Sequence, residues 1–213
     1  FREKLKINLA SACPPPQSSG KINRMVVSLS SPGCKCQVGD FVMFVDPASD
    51  RKADLILKTK TDLPIGFPLS PEVVAGSGEY EIGGVRVKGM SLENEANGQT
   101  IRTIYAVLLE GIKLAFLGEL QDEPDEESLG KLGKADILFL SADSGKLKAK
   151  QLTSLIKQID PKIIIPISDK TAKLLAEELG QKVKAEEKLV IKKKDLDKEQ
   201  IVGKLVWLKS GTK

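Results

Sequence analysis

The chain has no histidine among its 213 residues. Histidine supplies the neutral nitrogen ligands of most zinc sites and the general base of many serine and cysteine hydrolases. Its absence therefore excludes the usual forms of both chemistries. A lysine would have to serve as the base of any nucleophilic site. The sequence offers Ser168 with Lys170 for this purpose, and we interpret these two as ordinary loop residues.

Cysteine is nearly as scarce, with only Cys13, Cys34 and Cys36. So small and odd a number does not indicate a disulfide framework, and it fits the reducing cytoplasm. A structural zinc site requires four ligands at recognised spacings, which Cys34-x-Cys36 with a remote Cys13 does not provide. We interpret the pair as small buried or half-exposed thiols.

Long apolar runs and a strong charge of one sign are also lacking. No segment approaches the ~20 apolar residues that span a bilayer, so no membrane association is expected. The net charge is only +4, from 33 basic and 29 acidic residues. This excess is too mild to indicate a nucleic-acid surface, although such a partner is left open. The run Lys192–Lys194 is interpreted as a solvated strand end.

The pattern along the chain predicts an arm followed by one domain. Residues 1–24 contain Pro14, Pro15 and Pro16 and no apolar period, which indicates an N-terminal arm or linker before a domain at residues 25–213. Strands are predicted at residues 24–30, 34–38, 41–45, 54–59, 79–82, 85–88, 100–109, 112–117, 137–140, 163–165, 188–192 and 205–208, and helices at 126–134, 148–159 and 171–179.

This order places β-hairpins first and β/α units last. Gly83-Gly84 and Glu110-Gly111 are two-residue hairpin turns, whereas the later strands alternate with helices and predict parallel pairing. Two sheets packed face to face with helices outside accommodate such a pattern. The residues alone leave other α/β and α+β arrangements open.

Six segments, in order, resemble the metallo-β-lactamase superfamily, and most closely its UlaG-like or Zn-dependent hydrolase branch. They are FVMFVDP (41–47), ADLILKT (53–59), GSGEYEIGGVRV (76–87), TIYAVLLEGIKLAFLGEL (103–120), KADILFL (134–140) and DPKIIIPISDK (160–170). The resemblance covers residues 25–208. It implies an α+β fold of the four-layer αββα sandwich type.

The same resemblance implies that the metal-binding residues of this branch have been replaced. Active members carry a Thr-His-x-His-x-Asp-His loop where this chain has residues 59–65, and further ligands near residues 92–94 and in two later strand ends. The corresponding vestigial positions hold Lys60, Asp62, Pro64, Ile65, Glu119 and Ser168, with Asp46 as a possible second-shell residue. An ammonium such as that of Lys60 has no lone pair and repels a divalent cation.

We therefore expect a non-catalytic, metal-free member of this superfamily without a cofactor. It would act as a binding or structural module for a protein partner or a second copy of itself. A Lys60 pair with Glu119 or Asp62 is expected to hold the loop in place of a metal, since a buried charge needs a partner.

Two alternatives stay open. One is a hydrolase of the same fold with a rebuilt oxygen-ligand site for Mg²⁺, Ca²⁺ or Mn²⁺, formed from carboxylates among Asp46, Asp62, Glu119, Asp122 and Asp143. The other is a sensor that retains the cleft as a small-anion pocket around Lys60.

Overall fold

The computed structural model describes residues 24–30, 32–49, 52–63, 70, 72–93, 99–198 and 201–211. The predicted N-terminal arm lies outside the described residues except for Arg24, and so do the predicted site positions Pro64 and Ile65. All other predicted site positions lie within the described part of the chain.

In the first half the chain forms strands. They are β1 (Met25–Ser30), β2 (Gly33–Val38), β3 (Phe41–Val45), β4 (Leu55–Leu57), β5 (Lys60–Asp62), β6 (Val73–Val74), β7 (Gly78–Ile82), β8 (Val85–Ser91), β9 (Thr100–Leu109) and β10 (Ile112–Glu119). The second half alternates helices and strands. They are α1 (Glu126–Leu132), β11 (Ile137–Ser141), α2 (Ala149–Ile159), β12 (Ile163–Pro166), α3 (Asp169–Glu178), β13 (Leu189–Ile191), α4 (Lys193–Leu196), β14 (Lys204–Leu205) and β15 (Ser210–Gly211).

Over these residues the strands form two sheets. The first has the order β13-β1-β2-β3-β4-β6, with β15 paired to β1, and the second has the order β14-β12-β11-β10-β9-β8-β7, with β5 paired to β9. Strands β7 to β10 are an antiparallel meander, whereas β10, β11, β12 and β14 run parallel. The predicted two-sheet sandwich and the change from hairpins to parallel units are both confirmed.

Turn chemistry and burial explain the central strands. Glu110 and Gly111 both have positive φ, 49° and 74°, as the predicted two-residue hairpin between β9 and β10 requires. All five residues of β11 and all four of β12 are buried. Continuous burial of this kind is typical of parallel strands that are covered on both faces.

The hydrophobic core has two parts that are separated by the second sheet. One part lies between the sheets and includes Phe116 and Phe139, whose rings stack with centroids 4.5 Å apart. The other part packs helices α1, α2 and α3 on the outer face of the second sheet, where Leu152 and Leu175 are fully buried. This arrangement leaves the strand ends of the second sheet open to side chains from both sheets.

Several elements differ from the sequence prediction. Helix α3 begins at Asp169, two residues before the predicted start, because the Ser168 side chain caps its amino end. Residues 60–62, which the resemblance places in a loop whose metal ligands have been replaced, form the short strand β5. The last predicted strand is reduced to β14 and a single bridge between Glu186 and Leu208.

A network of charges closes the amino end of β11. Asp136 precedes this strand, and its side chain is only 9% exposed, yet it pairs with Lys162 at 3.0 Å and Lys193 at 2.9 Å. The amide of Lys113 also donates to the Asp136 carboxylate, at 2.9 Å. Asp197 lies farther away, 3.7 Å from Lys162 and 3.8 Å from Lys193. The buried carboxylate is thus fully partnered.

None of the helices in the described segments is both long enough and apolar enough to cross a bilayer.

Candidate functional site

A cleft of about 610 Å³ opens at the carboxyl ends of β10, β11 and β12, beside the turn that joins β4 to β5. Charged and hydroxyl side chains dominate its lining. The charged residues are Asp46, Lys58, Lys60, Arg102, Glu119, Asp143 and Asp169. The carboxyl ends of parallel strands are a common location of ligand sites.

The structure gathers most of the sequence-predicted positions in this cleft. Lys60, Glu119 and Ser168 line it, together with Asp46. Asp62 follows Lys60 on β5 but is an exposed residue outside the lining. The prediction that these positions derive from a metal site remains a prediction.

Asp46, which follows β3, holds the β4–β5 turn in place through hydrogen bonds. Its carboxylate accepts hydrogen bonds from the Thr59 amide at 2.7 Å and the Thr59 hydroxyl at 2.5 Å, and its own amide donates to the Leu57 carbonyl. Burial raises the pKa of Asp46, and the Thr59 hydrogen bonds with the charges of Lys58 and Arg102 oppose this shift only in part. Asp46 therefore acts as a structural clamp on the turn.

Gly118 permits β10 to approach the same turn. Its φ is +64°, and a Cβ built there would lie 2.3 Å from the Thr59 hydroxyl oxygen. Only glycine satisfies both the left-handed backbone and this contact. The register of β10 against β11 also shifts between Phe116 and Glu119, which turns the end of β10 into the cleft.

Tyr105 supports the turn from the inter-sheet core. Its hydroxyl donates to the Lys58 carbonyl at 2.9 Å and accepts from the Gly76 amide at 3.0 Å. Burial is the main reason that the pKa of Tyr105 rises to about 12, so the phenol stays protonated and keeps donating. The segments GSGEYEIGGVRV and TIYAVLLEGIKLAFLGEL, noted in the sequence, are thus joined at the cleft.

Arg102 is the main cleft residue that sequence analysis missed. It is only 9% exposed and lies opposite Lys60 in the β5–β9 register. Its Nη1 donates to the Glu119 carbonyl at 2.7 Å, which ties β9 to the end of β10. A signal was present in the sequence, because Arg102 is the one charged residue in a ten-residue apolar strand.

The expected pair between Lys60 and a carboxylate forms at the surface. The Lys60 ammonium lies 3.9 Å from Asp62, and the two side chains are 53% and 79% exposed. An exposed pair at this distance contributes at most about 1 kcal/mol. The expectation that this pair holds the loop is therefore corrected, because Asp46 and Thr59 hold it instead.

Ser168 is occupied as a helix cap. Its hydroxyl donates to Asp143 at 2.5 Å and accepts from the Thr171 amide at 3.1 Å, which begins helix α3. The Lys170 ammonium donates to the Asp143 carbonyl at 2.8 Å. Ser168 and Lys170 thus both bind Asp143, and this geometry does not make Lys170 the base of a serine nucleophile.

The donor set does not fit the zinc that the fold family implies. In the described ranges no three or more histidine, cysteine, aspartate or glutamate side chains converge. Asp46 is committed to Thr59, Ser168 caps a helix, and Lys60 lines the cleft. A zinc site needs four such ligands, or three and an open position.

The two described cysteines lie elsewhere. Cys34 and Cys36 are buried in the core between the sheets, and their thiols are not bridged. A hydrogen bond with Cys36 and burial raise the pKa of Cys34. These are the buried thiols that the sequence predicted, and they form no part of the cleft.

Comparison with known proteins identifies the class to which this fold and cleft belong. The family model described as the beta-lactamase superfamily domain matches residues 35–168, more than half of the chain. The chain therefore belongs to the β-lactamase superfamily. No curated protein sequence matches it significantly.

Solved structures of low sequence identity share the fold. A candidate Zn-dependent hydrolase of the metallo-β-lactamase superfamily from Thermotoga maritima superposes with a TM-score of 0.65 at 15% identity, over 88% of this chain and 100% of that one. The metallo-β-lactamase fold protein YhfI from Bacillus subtilis gives 0.58 at 10% identity, over 89% and 98%. The metallo hydrolase Igni18 from Ignicoccus hospitalis gives 0.57 at 10% identity, over 89% and 97%. At these identities the likeness establishes the metallo-β-lactamase fold alone.

Proposed function

We propose that this protein is a non-catalytic member of the superfamily, from its UlaG-like branch, whose cleft binds a partner molecule without a metal. The metal ligands of that branch have been replaced at Lys60, Asp62, Glu119 and Ser168. The cleft itself has been kept.

The observation that carries this proposal is the way the cleft walls are joined. Hydrogen bonds from Thr59 to Asp46 connect the turn to the first sheet, and the bond from Arg102 to the Glu119 carbonyl connects β9 to β10. In a metal enzyme the ion itself cross-links loops of this kind. Here protein groups supply the cross-links, so the cleft has no structural need of an ion.

Electrostatics also favour a metal-free cleft. Lys60 and Arg102 face each other across the β5–β9 register at the position where the resemblance places a metal. The charges of Lys60 and Arg102 raise the energy of a divalent cation bound beside them. The buried Arg102 also offsets the negative charge of Asp46.

We further propose that this module works in the cytoplasm and that a protein, or a second copy of the chain, is its macromolecular partner. The net charge of +4 is too small to favour nucleic acid over these.

The test is the metal content of protein purified without chelator and without a histidine tag, since the chain has no histidine and a tag would itself bind zinc. Elemental analysis is followed by calorimetric titration with zinc and with manganese. We expect substoichiometric metal and no saturable heat.

Hydrolysis of ester, lactam and phosphodiester substrates is measured on the same samples with and without each metal. The proposal predicts no metal-dependent turnover. One tightly bound ion per chain, or turnover that appears with an ion and disappears with chelator, would overturn it.

A further inference from the structure

The lysines of the cleft and most of its carboxylates lie on different elements, and the exception, Asp46, is bound to Thr59. The cations lie at the β4–β5 turn and on the adjoining strand β9. Lys58 and Lys60 flank Thr59, and Arg102 on β9 pairs in register with Lys60. Within the described part of the chain the Lys58 side chain has no ion pair or hydrogen bond, although its charge is felt by Asp46. This side of the cleft therefore presents ammonium groups that are available to a ligand.

The carboxylates lie on the other side. Glu119, Asp143 and Asp169 follow the carboxyl ends of β10, β11 and β12, which are neighbours in the second sheet.

The acids are held but not neutralised. Asp143 accepts from the hydroxyls of Ser168 and Thr171 on one oxygen, and Asp169 accepts from the Trp207 indole on one oxygen. These donors are neutral and fix the carboxylates in place. The second oxygens have no hydrogen-bond partner among the described residues.

Two cations lie near these acids: Arg102, whose guanidinium donates to the Glu119 carbonyl at 2.7 Å, and Lys170. The Lys170 ammonium is bound to the Asp143 carbonyl and does not line the cleft. Glu119, an exposed residue, has no partner for its carboxylate in the described segments. Negative charge therefore predominates on this side.

We propose that the cleft binds a zwitterionic small molecule, with a primary amine on the side of Glu119, Asp143 and Asp169 and a carboxylate on the side of Lys58 and Lys60. A ligand of one sign is repelled at one end of the cleft, whereas a ligand of both signs is attracted at both. The cavity volume of about 610 Å³ suits a small molecule. This inference rests on the proposed function, because it uses the same cleft without a metal.

The test compares three probes of equal chain length on the full-length protein. Calorimetry measures 6-aminohexanoate, which carries both charges, beside hexanoate and hexylamine, which carry one each. We expect 6-aminohexanoate to bind at least about tenfold more tightly than either control, a difference of about 1.4 kcal/mol. Equal binding of a singly charged probe, or no binding by any of the three, would overturn the inference.

Two exposed residues allow each end to be tested without unfolding the protein. Lys60→Met should weaken 6-aminohexanoate binding and leave hexylamine binding unchanged or tighter. Glu119→Gln should weaken 6-aminohexanoate and leave hexanoate unchanged or tighter. Lys88→Met, on the outer face of the second sheet, is the matched control and should bind all probes like the wild type.

The two proposals fail differently. If both cleft variants bind 6-aminohexanoate like the wild type, the inference is wrong, while the metal-free module still stands as long as no ion binds. Stoichiometric zinc binding in the tag-free protein would overturn the proposed function, whatever the zwitterion does.

Discussion

The charge network at the amino end of β11 and the cleft at its carboxyl end treat buried carboxylates in opposite ways. At the amino end, Asp136 is paired with Lys162 and Lys193, and these contacts outweigh burial so that its pKa is lowered. At the cleft end, Asp46 is bound by Thr59, and burial wins so that its pKa is raised. The negative charge of Asp136 stabilises the folded protein, whereas the negative charge of Asp46 is disfavoured by burial.

This difference separates the structural end from the candidate functional end. Charges that pair fully within the protein have little left to offer a ligand. Charges fixed by neutral donors, such as those of Asp143 and Asp169, stay available. Charged groups that no opposite charge of the protein neutralises are characteristic of functional sites.

Replacing the carboxylate by an amide at the structural end should have the largest effect. We expect Asp136→Asn to lower the free energy of unfolding by about 2–3 kcal/mol, because it removes the buried counter-charge of Lys162 and Lys193 and leaves them only the more distant, exposed Asp197. Urea unfolding at neutral pH measures the loss. Asp197→Asn, at the exposed rim of the same network, is the control and should cost under about 0.5 kcal/mol.

The cost of Asp136→Asn should depend on pH. The pKa of Asp136 is below its ordinary value of 3.8 in the folded protein, so its stabilisation is present above pH 3.8 and is lost as pH falls through the folded pKa. The cost of Asp136→Asn should therefore shrink as pH is lowered through this range. A cost that is independent of pH would contradict the charge network.

The same substitution at the cleft end should be milder. We expect Asp46→Asn to cost about 1 kcal/mol, because the amide oxygen can accept from the Thr59 amide, the amide nitrogen can donate to the Thr59 hydroxyl, and asparagine tolerates the positive φ of this position. Asp46→Ala removes those bonds and should cost more. Urea unfolding of both variants checks the order, and equal costs would mean that the charge of Asp46, rather than its hydrogen bonds, holds the turn.

The cost of Asp46→Asn should change with pH in the opposite direction. The pKa of Asp46 is raised above 3.8, so its contribution to stability is fully present below pH 3.8 and is lost as pH rises through the folded pKa. The cost of Asp46→Asn should grow, rather than shrink, as pH is lowered. If the costs of Asp136→Asn and Asp46→Asn changed with pH in the same direction, the contrast between the two ends would be wrong.

The helix cap at the cleft comes next in size. Ser168→Ala should destabilise the protein by about 1 kcal/mol, since it removes the cap of α3 and the hydroxyl that fixes Asp143. Ser168→Thr keeps a hydroxyl and should recover most of the loss. Thermal unfolding of the pair distinguishes capping from a mere change of side-chain volume.

The smallest effect is expected at the exposed pair. Lys60→Met and Asp62→Asn should each change the free energy of unfolding by less than about 0.5 kcal/mol. A loss above about 1 kcal/mol in urea unfolding would restore the idea that Lys60 replaces a metal as the link that holds the loop.

Strong local patterns explain which parts of the fold sequence reasoning reached. The apolar runs of β11 and β12, the helical period of α2 and the Glu110-Gly111 turn each specify their element locally, and each was predicted to within a residue or two. Strand β5 has the sequence KTD and no strand pattern, because its pairing with β9 creates it. No local signal encodes such a long-range contact.

Sequence reasoning also predicted only part of the candidate site. The resemblance pointed to Lys60, Glu119 and Ser168, and the structure gathers them around one cavity. What these residues do depends on neighbours distant in sequence: Ser168 meets Asp143, and the Glu119 carbonyl meets Arg102. Arg102 itself was overlooked, although a single charge in an apolar strand is a usable warning of a buried partner.

The central claim is that the cleft end is held by its own side chains and not by an ion. The most direct measurement is the thermal unfolding midpoint of the tag-free protein in chelator, compared with the midpoint in excess zinc. A ligand at 100 times its Kd stabilises the folded state by about 2.7 kcal/mol, which a melting curve detects readily. The account predicts the same midpoint in both conditions. A midpoint that rises with zinc and falls with chelator would contradict it.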